Sequence, residues 1–210
     1  VDEFWTDAET AFRRTVADYF RQKADPGLPP GAPAPAEIWR DLDGAPLPLR
    51  DRLSRCVSIC EEAAYRDPKL GRDLLAWRAA AAPLGPLEEL ACRLGRLAGS
   101  AIHVLEAGAR AAREQGSFSS SLMGCREIQE RLAGLVAGAG LVRFGACRLC
   151  RLLERGENGR AVRESGRLEA LAASLFADVR SAARSLLGET WAAANFPADD
   201  GPSADERTRT

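Results

Sequence analysis

The chain has 210 residues, 46% hydrophobic and 28% charged, with a formal net charge of -1. This balance supplies the apolar mass of a real core and excludes a global field that would recruit nucleic acid or an anionic membrane. Apolar runs are cut by arginine or glutamate well short of the roughly 20 residues of a membrane span, and the first residues are acidic and amphipathic, so the expected compartment is the cytoplasm and no membrane partner is expected.

Every predicted element is a helix, because alternating strand patterns are scarce and alanine, leucine and arginine are abundant. Thr6-Asp7-Ala8-Glu9 has capping-box spacing, in which hydroxyl and carboxylate satisfy each other's backbone amide. The helix behind it presents Phe12, Val16, Tyr19 and Phe20 and stops near Ala24, ahead of Pro26. Residues 25–36 hold five prolines and two glycines and read as a stiff connector. A single helix cannot bury its own apolar face, so this first helix must dock on helices later in the chain.

Short helices are expected over Glu37–Asp43, with Ile38, Trp39 and Leu42, and over Leu49–Tyr65, with Leu53, Val57, Cys60 and Ala64 inward. Leu70–Ala81 carries Leu74, Leu75 and Trp77, and Pro83–Pro86 marks the strongest break. A long helix starts at Leu87 with the seam Leu87, Leu90, Leu94, Leu97, Ala101, Val104 and Gly108.

The stretch Ser121–Arg155 reads as the central helix of a bundle. Its seam is Ile128, Leu132, Leu135, Ala139, Val142, Ala146, Leu149 and Leu153, spaced alternately by four and three. Arg131, Arg143, Arg148 and Arg151 lie on the other face. Gly134, Gly138, Gly140 and Gly145 each cost roughly 1 kcal/mol against alanine, so packing must hold this helix, with small residues admitting a neighbouring backbone. Gly156-Glu157-Asn158-Gly159 turns the chain into a last long helix, about Arg160–Leu187, with Gly188 as its cap. The expected division is a helical region over 1–82, an up-and-down bundle of long antiparallel helices over 87–188 and a polar, disordered tail over 189–210.

The six cysteines lie within helical patterns. Cys147 and Cys150 have CxxC spacing and Cys56 and Cys60 are one turn apart, so a four-cysteine metal site competes with buried thiols. Thiols are the expectation, because such metal sites favour turns, and no metal site is assigned. His103, the single histidine, lies beside a seam with no serine or aspartate motif and reads as a packed side chain. Trp5, Trp39, Trp77 and Trp191 share no face and no basic interleaving, which argues against nucleic-acid stacking. Ser117, Ser119, Ser120 and Ser121 sit in no GxSxG frame.

The pieces AFRRTVADYFRQKADP, IWRDLDG and VSICEEAAYRDPKLGRDLLAW, then GSAIHVLEAGARAAREQGSF, CREIQERLAGLVAGAGLVRFGACRLCRLLERG and LEALAASLFADVRSAARSLLG, resemble in order the helical parts of the acyl-CoA dehydrogenase family. The resemblance implies an acyl-CoA dehydrogenase-like all-α fold from which the family's middle β domain, a wall of its flavin and acyl site, is missing between Trp77 and Leu87. It implies Arg113, Phe118 and Gln129 as flavin contacts. Arg113 stands five residues before Phe118, Ser119 replaces the glycine expected next, and Arg126 holds the place of an earlier glutamine. Glu88 matches the position at which a minority of the family places its catalytic base, although Glu89 stands where arginine is usual. Glycine-rich and helical segments that would come after Gly188 are lacking.

Three functions fit these residues. The leading one is a non-catalytic subunit or partner of a flavin-dependent acyl-CoA dehydrogenase, assembled as a homodimer or hetero-oligomer through the long helices, with no cofactor on the chain alone. The second is an FAD-dependent acyl-CoA oxidoreductase in its own right, with FAD held in an unusual way across a dimer. The third is an unrelated helical scaffold or adaptor. Glu88 also suits the first turn of any helix, where the macrodipole favours an acid, and Arg113 suits a solvated helix end.

Overall fold

The structure, a computed structural model, describes residues 6–23, 35–43, 52–81, 84–114 and 125–197. Among them every regular element is an α-helix: α1 (Asp7–Lys23), α2 (Pro35–Asp43), α3 (Arg52–Arg66), α4 (Pro68–Ala81), α5 (Pro86–Glu114), α6 (Arg126–Glu154), α7 (Asn158–Leu187) and α8 (Glu189–Asn195).

Local signals act where the sequence places them. The Thr6 amide donates to Glu9 Oε2 at 2.6 Å and the Glu9 amide to Thr6 Oγ1 at 3.2 Å, the reciprocal capping box. α6 ends in a Schellman turn, with Gly156 at φ +72°, its amide donating to the Leu153 carbonyl and that of Glu157 to Leu152. Gly188 caps α7 at φ +95°.

The registers are fixed by paired contacts. Along α6 and α7, Arg131 meets Ser185, Gly138 faces Leu175, Gly145 faces Leu168 and Arg148 meets Glu164, so the two run antiparallel. α3 and α5 run parallel, since Gly95 faces Val57, Gly99 faces Glu61, and the Tyr65 carbonyl accepts from His103. α3 runs antiparallel to α6, with Ser54 bonded to Glu154 and Glu61 to Arg143. α3 thus supplies the fourth long-helix position from within the chain. α1 lies on α3, and α2 is tied to α4 through Trp39 Nε1, which donates to the Leu74 carbonyl at 3.3 Å.

Three expectations change. The centre is α5, not α6. α5 packs against α3, α4, α6 and α7 and buries residues around most of its girth. The reason lies in which glycines receive a neighbour. A Cβ on Gly99 would stand 2.0 Å from the Glu61 carbonyl oxygen and one on Gly95 2.9 Å from that of Val57, whereas Gly134 and Gly140 of α6 face open space. The break at Pro83–Pro86 does not part the core: a single apolar cluster draws on all eight helices, from Phe12 to Phe196. Residues 189–196 are not tail. Ala192 and Phe196 are buried, Trp191 packs against the core, and these apolar groups outweigh the polar character that begins after them. The rest of the expected tail, 198–210, lies outside the described residues.

Candidate interaction surface

α6 buries one seam and exposes another. Leu132, Leu135, Ala139, Val142, Ala146 and Leu149 face α5 and α7 and are buried. On the outer side, Ala133, Ala137, Gly140 and Phe144 recur at steps of four, three and four, a second helical stripe. Val136 and Leu141 flank it at 52% and 55% exposure, and Phe144 is 43% exposed. Single exposed apolar residues are ordinary, but a contiguous apolar stripe on one helix marks a surface that something covers.

Charge brackets this stripe. At its start Arg126 pairs with Glu130 at 2.7 Å, both well exposed. At its end a cavity of about 190 Å³ opens, with an apolar floor of Phe144, Cys147 and Leu152 and a rim of Arg148, Arg151, Arg155 and Arg160. Glu164 accepts from Arg148 Nε and Nη2 and from Arg160, and these guanidinium bonds hold its carboxyl below the usual carboxylate range. Glu157 lies 3.4 Å from Arg160. Of the four guanidiniums on this rim, Arg148 and Arg160 are thus held by carboxylates of α7 and the turn before it. A wider cavity of about 570 Å³ between α6 and α7 is lined by Arg131, Arg180 and Arg184 beside Phe176 and two serines.

The arginines opposite the buried seam form crosslinks to other helices. Arg143 reaches across to the buried Glu61 of α3, Arg148 to α7, and Arg131 donates to Ser185 at 2.6 Å. Guanidinium groups reach farther than their Cα positions suggest, which a helical wheel does not show.

Of the residues implied by the acyl-CoA dehydrogenase resemblance, Arg113 and Gln129 lie at the same end of the antiparallel α5–α6 pair and Glu88 at the other. Glu88 sits in the first turn of α5, where its Oε2 accepts from the Gly85 amide at 2.8 Å. Arg113 is exposed in the last turn of the same helix, about 37 Å away at 1.5 Å per residue. Gln129 is exposed near the start of α6, and Phe118 lies outside the described residues. None of the three placed residues lines either of these cavities.

His103 is packed. Its Nδ1 donates to the Tyr65 carbonyl at 2.8 Å, and its ring stacks on Trp191 at 5.8 Å with 6° between planes. Cys56, Cys60, Cys92, Cys147 and Cys150 are buried and Cys125 is exposed, with no disulfide. Hydrogen bonding to Cys60 and burial push the Cys92 thiol well up, burial does the same to Cys150, and burial raises Cys147 to about 11. Among the described residues no group of three or more histidine, cysteine or acidic side chains is placed to hold a metal ion. Cys92, Cys147 and Cys150 are therefore protonated at neutral pH, and all five buried thiols are shielded from reagents. Ellman's reagent is expected to modify one thiol, Cys125, in the native protein and six in denaturant. Rapid modification of a second thiol in the native state would contradict the packing of α3, α5 and α6.

By length and composition α6 is the one helix among the described residues that could cross a bilayer, unlike the short apolar runs expected from sequence. Arg131 and Arg143 bracket its most apolar run, and 44% of its most apolar window is buried within this chain. Core helices of soluble proteins pass the same test of length and composition.

No protein-family model, no curated protein and no solved structure matches the chain.

Proposed function

We propose that this protein is a non-catalytic helical subunit that works by assembly, presenting the outer face of α6 to another protein chain. The observation that carries this reading is the exposed stripe Ala133–Ala137–Gly140–Phe144 with Val136 and Leu141 beside it, bracketed by charge at both ends. A bare apolar stripe costs solubility, and covering it returns roughly 25 cal/mol per Å² of apolar area.

The resemblance of the helices to those of acyl-CoA dehydrogenases points to a flavin-dependent acyl-CoA dehydrogenase as the wider assembly. Native mass spectrometry of the protein isolated from its own source tests this reading. The expected result is a complex heavier than the 22.6 kDa chain that is lost when Ala137 is replaced by glutamate, and flavin, where present, residing on a different chain. FAD bound to this chain alone, with dehydrogenation abolished by Glu88→Gln, would replace the reading with the enzymatic one.

A further inference from the structure

We infer that the cavity between α6 and α7 is a binding site for a phosphomonoester, with Arg180 as its anchor. The site stands apart from the assembly reading, because none of its lining residues belongs to the outer stripe of α6.

The cavity is built by helical spacing. On α7, Phe176, Arg180 and Arg184 recur every four residues, and Ser181 and Ser185 belong to the row beside them. Residues four apart stand one above another on a helix, so the two rows share one face. Arg131 closes the opposite wall from α6, held by its 2.6 Å bond to Ser185. The volume of about 570 Å³ falls among the roughly 300–1,000 Å³ of small-molecule sites.

The chemistry of the lining is one-sided. Its polar groups are three guanidiniums and two hydroxyls, with no carboxylate among the described residues. Acids outside the cavity answer two of the three cations. Arg184 lies 3.1 Å from Glu189, and Arg131 lies 3.1 Å from Glu127. These acids are 67% and 77% exposed, and pairs of that kind hold weakly. Arg180 is the cation left over. Among the described residues it has no hydrogen-bond or ion-pair partner, and its Nε is shielded from solvent with no acceptor. The Ser181 hydroxyl beside it is likewise unbonded among the described residues.

A shielded N–H without an acceptor is costly, and an anion seated against Arg180 would satisfy it. Guanidinium forks match phosphate oxygens in pairs. A phosphomonoester has three terminal oxygens to share among the arginines and Ser181, whereas a carboxylate has two. Phe176 ends the arginine row with an apolar ring, packed edge-on against Phe196 at 6.3 Å, on which the esterified body can lie. The same phosphate group can be carried by a soluble ester or by a lipid headgroup.

Isothermal titration calorimetry of the full chain with phenyl phosphate tests the site. In phosphate-free buffer at about 0.1 M salt, charges more than about 10 Å apart are screened. One-to-one binding is expected, at least about tenfold tighter than that of benzoate, which carries the same ring on a two-oxygen anion. Arg180→Met keeps the apolar stem, removes the fork and is expected to weaken binding at least about tenfold. Ser181→Ala places the best helix former at an exposed position, is expected to fold like the parent and weakens binding about threefold. Arg167→Met removes an exposed charge from the same helix about 20 Å away, and is expected to change the affinity less than about twofold. Co-sedimentation with phosphatidylcholine vesicles containing phosphatidic acid separates the two sources. Phenyl phosphate binding without vesicle binding assigns a soluble ester, Arg180-dependent vesicle binding assigns a headgroup, and either supports the site.

A chain that binds neither phenyl phosphate nor these vesicles overturns the inference. So does binding that survives both Arg180→Met and Ser181→Ala unchanged, or that Arg167→Met weakens as much as Arg180→Met does. Benzoate bound as tightly as phenyl phosphate overturns the choice of phosphate.

Discussion

Replacing Glu61 by glutamine is expected to lower the free energy of unfolding by about 3 kcal/mol, a large share of the stability of an ordinary domain. Glu61 is 3% exposed at the crossing of α3 with α5. Its carboxylate accepts two bonds from Arg13 of α1, both at 3.0 Å, and one from Arg143 Nε of α6 at 2.6 Å. Three helices therefore meet on one charge. Glutamine keeps the shape but cannot compensate two guanidiniums, whose side chains are only 21% exposed. Breaking a buried ion cluster from one side costs more than the cluster contributes, because the remaining charges stay desolvated. Urea unfolding at neutral pH measures the loss, and a double-mutant cycle with Arg143→Met is expected to show coupling above about 1 kcal/mol. A loss below that size would mean that water screens the cluster.

The same carboxylate sets an acid limit. Burial alone would raise its pKa, but Arg13 and Arg143 outweigh burial and hold it below the ordinary value of 4.5. A depressed folded-state pKa contributes stability that is fully present above the unfolded value and lost as pH falls through the folded one. Stability is therefore expected to decline below about pH 4.5 in the parent. In Glu61→Gln this part of the decline disappears, although the variant is weaker at neutral pH. A parent whose stability is flat from pH 5 down to about pH 2 would contradict the paired state of Glu61.

Gly99→Ala is expected to be as damaging as any single added methyl in the chain, costing about 3 kcal/mol or more. The new Cβ would stand 2.0 Å from the Glu61 carbonyl oxygen and 2.9 Å from the Tyr65 amide nitrogen. Both atoms belong to the backbone of α3, so relief requires α3 and α5 to move apart. That shift would also disturb the hydrogen bond from His103 to Tyr65 and the Glu61 cluster. Gly166→Ala is the control. It is exposed within α7, nothing lies within 4 Å of its missing Cβ, and alanine there is expected to stabilise by about 0.5–1 kcal/mol. Thermal unfolding of both variants separates a helix-propensity effect, which has one sign for every glycine, from a packing effect, which reverses it at Gly99. Equal shifts at the two sites would refute the close crossing of α3 and α5.

The Glu61 cluster was not legible in the chain. Nothing near Glu61 in sequence announces two arginines 48 residues before it and 82 after it. Residues that act through long side chains across elements leave no periodic trace.

What the sequence determined by itself is local and periodic. The capping box at Thr6, the turns at Gly156 and Gly188, and most of the buried seams of α5 and α6 follow from hydrogen-bond spacing and a period of 3.6 residues. What only the tertiary structure decided is which helix is central, which glycines are tightly packed, and which apolar residues stay outside. Gly99 and Gly140 are indistinguishable as letters in a helix, yet one touches a carbonyl and the other faces open space. Phe144 and Leu149 are both apolar positions of α6, but only Leu149 points to α5 and α7. The physical reason is that propensity and periodicity are properties of one segment, whereas packing depends on the distance to another, and that distance is set by all the helices together.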